Sequence, residues 1–440
     1  MHICRKWRRI VLASQQALHL RLFCTRGMPV LKNLDFCPSL PIVVKYGGSP
    51  ADDPPTLSDE NNIMAALKES GRVTSVTLTV TSSLLQKLYA IERPFSELEE
   101  LVLLSRECVP LTLPSVFRSA PRLCCLRSTR VAFKLPSLLQ LLYSSRNLVD
   151  LQLHEVLNPS DIEVLTYALP GMAQLRSLSL HFLPSAFYVS PSTPVELFDL
   201  PALTQLKFHG LSECLAHLLS RIDAPRLGDI EITFRQCDEI SFGALCLREF
   251  INRTEMHKSH RQAQILSSEN AISISLIQPG APTRIKFQIF CESLYLQLFS
   301  MAPIFTRFSA FLLDVEDLHI NVTRQSRQEN ISYTVQWLEL LNLFGGVKWL
   351  HVVGNLSDIV HGLRLLGKAA LPALHCLYIP RLGPRHVPLE EAIVSFMILR
   401  RLSGSHIAIE YERSSHMSEV DGAGTKYTQS YCHCSLTRFQ

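Results

Sequence analysis

Three histidines recur at one position of three consecutive segments. His154, His181 and His209 each stand six residues after a leucine, namely Leu148, Leu175 and Leu203. If those segments are strands lying side by side, the imidazoles form a column with about 4.8 Å between neighbours. Imidazoles gathered in that way could respond to pH near 6 or trap a transition metal ion. The competing reading is three ordinary polar residues on a solvated face. His319 and His351 share a neighbouring slot, four residues after Val315 and Val347. Cys432, His433 and Cys434 form a C-H-C cluster near the end of the chain. A zinc site needs four ligands, usually with two to four residues between paired cysteines, and no second pair is near. Arg5, Lys6, Arg8 and Arg9 interleave with an apolar stripe, which reads as a solvated helix face rather than a nucleic-acid patch. There is no P-loop, no G-x-G-x-x-G after a strand, no H-E-x-x-H and no G-x-S-x-G. The sequence therefore gives no catalytic residue, and neither a metal nor a cofactor is expected.

The elements that must position these residues follow from a repeat. RVTSVTLTV, ELEELVLLS, RLCCLRSTR, NLVDLQLHE, QLRSLSLHF, ALTQLKFHG and RLGDIEITF share the pattern L-x-x-L-x-L with substitutions. Their first apolar positions are Val73, Leu98, Leu123, Leu148, Leu175, Leu203 and Leu227, at steps of 25, 25, 25, 27, 28 and 24 residues. That spacing falls within the period of leucine-rich repeats. Within LVDLQLH, Leu148, Leu151 and Leu153 face inward from a short strand while Asp150, Gln152 and His154 face outward. Helical stretches separate the strands: Ser82–Ile91, Leu135–Ser145, Ser160–Leu169 and Leu211–Ile222. No such unit can bury its apolar face alone, so the units stack, with parallel strands on one side and helices on the other. The expected fold class is α/β, a leucine-rich-repeat-like solenoid over residues 61–412. Between Leu227 and Val315 the register blurs: ISISLIQ and VEDLHINV read as strands at nearly twice the repeat spacing. VKWLHVV and ALHCLYI restore the pattern, and HIAIEYE reads as the last strand. The helix Ser58–Ser70 is expected to cap the start of the array, with Ser58 or Thr56 as its N-cap.

The outward strand residues define a surface. Asp150, Gln152, His154, Ser177, Ser179, His181, Gln205, Lys207, His209, Asp229, Glu231 and Thr233, with Trp349 and Tyr378 further along, would share one face. Parallel sheets are normally covered on both sides, so a face of mixed polar groups with aromatics suits docking of another protein. A merely solvated sheet is the plainer alternative. With 440 residues, 47% hydrophobic, 19% charged and a net charge of +4, the chain is expected to be mostly ordered, and nothing in its charge points to nucleic acid or a membrane. No run of about 18 apolar residues suggests a membrane span. Polar residues from Ser14 to Arg21 interrupt any signal-peptide core. The expected setting is intracellular, cytoplasm or nucleus, where the 13 cysteines would be reduced. Prolines and the Gly47–Gly48 pair mark residues 27–60 as a linker, and 413–440 reads as a disordered tail.

The segment HICRKWRRIVLAS resembles the last third of an F-box, in which a cysteine, two basic residues and a tryptophan (Cys4, Arg5, Lys6, Trp7) close a three-helix module. Followed by LHLRLFC, a proline-rich stretch and the repeats, the layout is similar to fungal F-box-like proteins with leucine-rich repeats. PRLGDIEITF, REFINRTE and EEAIVSFMILRRLSGSHIAIEYER look like the same group. The resemblance implies a partial F-box over residues 1–26, docking through Cys4, Trp7, Ile10 and Val11 on a Skp-type adaptor of a cullin–RING ubiquitin ligase. The repeats would then hold a protein substrate, and the chain itself would do no bond chemistry. The family's opening Leu-Pro turn and first two helices have no counterpart here, so the F-box is expected to be N-terminally truncated. The alternative role is a repeat scaffold without the ubiquitin link. The asparagine ladder of many leucine-rich repeats is also missing, its position holding Arg106, Val131, Val156, Leu183, Leu211 and Arg235.

Overall fold

Alternating leucine and polar residues give strands with one apolar edge, and those edges are what the fold buries. A computed structural model describes residues 20–37, 39–47, 53–107, 111–113, 117, 119–133, 135–158, 161–182, 197–234, 241–254, 260–278, 280, 284–291, 294–323, 334–354, 359, 363, 371–380 and 387–412. The first strands are β1 (Leu22–Thr25), β2 (Ile42–Tyr46), β3 (Val73–Val80), β4 (Glu100–Ser105), β5 (Leu111–Leu113), β6 (Cys125–Thr129) and β7 (Val131–Phe133). Next come β8 (Asp150–Leu157), β9 (Ser177–Phe182), β10 (Phe198–Asp199), β11 (Gln205–Gly210), β12 (Ile222–Asp223) and β13 (Asp229–Phe234). The rest are β14 (Gln262–Ser267), β15 (Ala271–Ile277), β16 (Arg284–Phe290), β17 (Asp317–Val322), β18 (Trp349–Gly354), β19 (Cys376–Pro380) and β20 (Ala408–Glu412). Sixteen of them form one sheet; β5 with β7 and β10 with β12 make two small parallel pairs beside it. Helices connect the strands, among them Leu135–Ser144, Asp161–Ala168 and Ser212–Leu219, each within a few residues of its expected position. Their apolar sides share one continuous buried cluster with the inward strand residues.

Backbone bonds repeat with the sequence period. The first leucine of each unit donates its N–H to the carbonyl three residues earlier: Leu123 to Ala120 at 3.0 Å, Leu148 to Ser145 at 3.1 Å, Leu203 to Leu200 at 3.1 Å. The next residue then donates to the unit before it, as in Val149 to Cys124 and Arg176 to Val149, both at 2.8 Å. This ladder ties unit to unit without an asparagine column and answers where the turn hydrogen bonds go. The residue three places before each such position, such as Phe95 before Leu98, Ala120 before Leu123, Leu200 before Leu203 or Phe344 before Val347, is fully buried.

Two boundaries differ from expectation. Residues 27–60 are not a linker: they carry the helix Val30–Phe36 and β2, which lies between β1 and β3 in the sheet. Ile42, Val44 and Tyr46 are buried with the same alternation as the later strands. The prolines bracket this strand rather than interrupt it, so composition misled where periodicity should have governed. Among the described residues the array therefore starts at Leu22 rather than at residue 61, and Leu22–Thr25 belongs to the sheet. The helix Leu57–Lys68 accordingly is not an end cap. It does begin at Thr56, whose hydroxyl accepts from the Asp59 N–H at 3.2 Å while the Asp59 carboxylate accepts from the Thr56 N–H at 3.0 Å. Glu60 in its first turn is buried against the following unit, taking Lys87 at 2.8 Å and the hydroxyls of Thr81 and Ser83.

The blurred stretch between Leu227 and Val315 has a definite cause. Sheet order there runs β13-β16-β15-β14-β17. After β13 the helix Ser241–Asn252 leads to β14, three places further along the sheet; β15 and β16 then return as antiparallel neighbours and fill the two places between. ISISLIQ is thus a strand, as expected, but the one reversed strand in the sheet order. The helix Leu294–Arg307 carries the chain on to β17, which pairs in parallel with β14.

Candidate functional site

Register converts the outward positions into rows that cross the sheet. One row holds Glu100, Cys125, Asp150, Ser177, Gln205, Asp229 and Arg284 in succession. The next holds Val102, Arg127, Gln152, Ser179, Lys207, Glu231 and Lys286. The third brings His154, His181 and His209 to adjacent positions, followed by Thr233 and Gln288. Beyond the reversed strand the second row continues through Ser275, Gln264, His319, His351 and Tyr378, and the first through Gln262, Asp317, Trp349 and Cys376. Every strand-face residue singled out in the sequence lies on these rows. Cys4, Trp7, Ile10 and Val11, and the cluster at Cys432, His433 and Cys434, lie outside the described residues.

Most of the charged side chains on this face meet a partner in a neighbouring unit. Arg127 clasps one oxygen of Asp150 through Nε at 2.9 Å and Nη2 at 2.7 Å. Lys286 donates to Glu231 at 2.6 Å, and Lys207 lies 3.8 Å from the same carboxylate. Burial alone would raise the Glu231 pKa, but the Lys286 hydrogen bond and the charges of Lys286, Lys207 and Arg284 outweigh it and hold the carboxyl below its ordinary value. The Gln205 amide donates to Asp229 at 2.8 Å, and the Ser177 hydroxyl reaches Gln205 at 3.3 Å. Cross-strand pairs of this kind favour one register over its neighbours.

The histidine column is real but uneven. His181 and His209 stack at 3.9 Å between ring centres, whereas His154 meets His181 edge-on at 6.1 Å. His154 Nε2 lies 2.8 Å from the Ser179 hydroxyl, and burial followed by the Lys207 charge lowers its pKa. At the other end of the sheet His319, His351 and Tyr378 form a flat stack, with centroids 4.2 and 4.1 Å apart and planes within 1° of parallel. Burial first, then the adjacent His319, pushes His351 down to about 4, against the pull of Asp317. Arg127, Gln262, Arg284, Lys286 and Asp317 were not among the face residues singled out in the sequence, although the same alternation of two places each residue outward.

Three of the described cysteines are poor nucleophiles. Burial pushes Cys24 up to about 11 and Cys125 and Cys214 up to about 12, so these thiols stay protonated. On the helix side a groove between Leu294–Arg307 and Thr334–Leu341 is lined by Phe299, Pro303, Thr306, Arg307, Glu339 and Asn342. No helix among the described residues is long and apolar enough to cross a membrane.

No family model matches the chain, and no curated protein matches it. Among solved structures it is similar to the leucine-rich repeat-containing protein LegL7 from Legionella pneumophila, at 11% identity, covering 89% of this chain and 90% of that one, with a TM-score of 0.27. The fold assignment rests on the strand register above and not on that likeness.

Proposed function

We propose that this chain is a non-catalytic leucine-rich-repeat solenoid whose polar strand face binds another protein. The observation that supports it is the contrast between the two sides of one sheet. The inward residues of β8, β9, β11 and β13 are buried under helices, while Asp150, Gln152, Ser177, His181, Gln205, Lys207 and Glu231 on the opposite side keep partial or full exposure. Predominantly parallel sheets usually cover both faces. A broad uncovered face with both signs of charge and stacked aromatics at one end fits a protein surface better than a small ligand, which would need a concave, mostly apolar pocket.

A photo-reactive residue placed at Gln152, Lys207 or Tyr378 would test this against the same residue at Tyr143 or Tyr167, which are exposed on helices. Cross-linking of one discrete protein from the strand positions alone is the expected result; equal yields from both sets, or none, would overturn it. The finer reading makes that protein a substrate passed to an intracellular Skp–cullin–F-box ubiquitin ligase, with Cys4, Trp7, Ile10 and Val11 touching the adaptor. It is supported by the sequence resemblance of residues 2–24. Co-expression of the full chain with a Skp-type adaptor tests it: a stoichiometric complex weakened by Trp7→Ala is expected, and no complex leaves the scaffold without a ubiquitin link.

A further inference from the structure

We infer that Asp317, His319 and His351 form a binding site for a divalent first-row transition metal ion, Zn2+ being the type case. This reading does not depend on which protein occupies the strand face. Asp317 and His319 project from the same side of β17, two residues apart, and His351 stands directly across from His319 on β18. Their three ligand atoms lie within 4.8 Å of one another. Asp317 Oδ1 is 3.1 Å from His319 Nε2 and 3.4 Å from His351 Nε2. An ion with bonds of about 2.0–2.1 Å and tetrahedral angles holds its ligand atoms about 3.3–3.4 Å apart, so the His351 edge already has the required length and the His319 edge must open slightly.

A second observation points the same way. Asp317 Oδ1 is sealed from solvent and accepts no hydrogen bond among the described residues, because neither ring N–H is aligned on it. A buried carboxylate oxygen left so is costly unless a cation completes it. The surroundings suit a metal site. The Gln262 amide nitrogen sits 3.4 Å from Asp317 Oδ2, where it orients the carboxylate, and 3.3 Å from His319 Nε2, a contact that a bound ion would displace. Tyr378 backs the His351 ring at 4.1 Å and closes one side. Side-chain exposures of 26%, 28% and 17% for Asp317, His319 and His351 leave a path from solvent. The parallel rings must turn about their Cβ–Cγ bonds for both lone pairs to converge, a rotation that imidazoles make in a broad energy well. Two imidazoles and one carboxylate with no thiolate favour zinc, cobalt, nickel or copper over the hard ions calcium and magnesium. Three protein ligands leave at least one position to water.

The test uses the full chain, stripped with chelator and titrated with Co2+ and then with Zn2+ in competition. The expected result is one equivalent of Co2+ giving a visible ligand-field band without a thiolate charge-transfer band, displaced by Zn2+. Affinity should fall at least tenfold in His351→Gln and in Asp317→Asn and stay unchanged in His209→Gln and in Cys434→Ser. Far-UV circular dichroism and the urea midpoint check that each variant is folded; should His351→Gln fail that check, the near-isosteric Asp317→Asn carries the test. Absence of binding at 100 µM Co2+, or binding insensitive to Asp317→Asn, would overturn the site, and loss of binding in Cys434→Ser would move it elsewhere.

Discussion

Leu151 and Gln152 are neighbours in sequence and opposites in environment, and replacing each in turn tests the register on which every row of the face depends. Leu151 is fully buried, in line with Leu126 and Leu178 on the adjoining strands. Truncation to alanine is expected to cost about 2–5 kcal/mol, the range for a leucine whose cavity does not collapse. Aspartate at the same place adds a second cost. To sit uncharged in the core at pH 7, a carboxyl of ordinary pKa about 3.9 must be protonated across roughly three pH units, which costs about 4 kcal/mol. Leu151→Asp should therefore lose about 6–9 kcal/mol, comparable to the whole stability of many domains. Gln152 contributes a side-chain amide that donates to Asp150 at 3.1 and 3.2 Å; Gln152→Ala should cost no more than about 1 kcal/mol. Urea unfolding followed by circular dichroism, at pH 7 and again at pH 4, measures all of these, and the first transition is the one to compare, since stacked units need not unfold together. At pH 4 the gap between Leu151→Asp and Leu151→Ala should shrink below about 1 kcal/mol. Equal losses at Leu151 and Gln152, or a gap that ignores pH, would refute the register.

Other outcomes follow from single contacts. Lys87→Met should destabilise by about 1–3 kcal/mol by stranding the buried Glu60 carboxylate. Burial raises the Glu60 pKa, but hydrogen bonds from Lys87, Ser83 and Thr81 and the Lys87 charge lower it further, below its ordinary value. Its contribution is therefore full above the ordinary carboxyl range and lost as pH falls through the lowered folded value, so Glu60→Gln should flatten the acid limb of a stability–pH curve. Gly346→Ala should cost about 2–3 kcal/mol in a thermal melt, because a Cβ there would enter the Leu313 carbonyl oxygen, whereas Gly345→Ala would make only ordinary contact with a Leu313 methyl and should be nearly silent. His260 is buried with neither ring nitrogen hydrogen-bonded among the described residues, and burial lowers its pKa. The unfolded chain takes up that proton first, so stability should fall as pH drops below about 6.5, and His260→Phe should remove that slope.

The repeat was legible because leucines at L-x-x-L-x-L carry both the strand period and the unit period at once. Seven strands, four connecting helices and the alignment of His154 with His181 and His209 all follow from it. The N-terminal strands were not, because IVVKY is flanked by prolines that weigh on composition and not on the alternation of Ile42, Val44 and Tyr46. QAQILS and RIKFQIF carry the same alternation, with Ala263 and Ile265, then Ile285, Phe287 and Ile289, on the buried side. A search at fixed spacing passes over them, since a strand reversal shortens the step without altering the period of two. Asp317 is hidden in the sequence for a related reason. His319 and His351 stood out as a pair in one slot, while the carboxylate that meets them sits one row away.

The reversal at β14, β15 and β16 also governs how the chain can be assembled. From β2 to β13 each new strand of the large sheet finds its neighbour already in place, one unit behind it on the ribosome. At β14 that rule stops: the edge offered by β13 must wait until β16 has been made, some fifty residues later, and until then both β13 and β14 present open edges. Removing a whole unit before this point only shortens the array, whereas cutting the hairpin would split the sheet in two and leave the halves to be held by helix packing, such as that of Ser241–Asn252 against Leu294–Arg307.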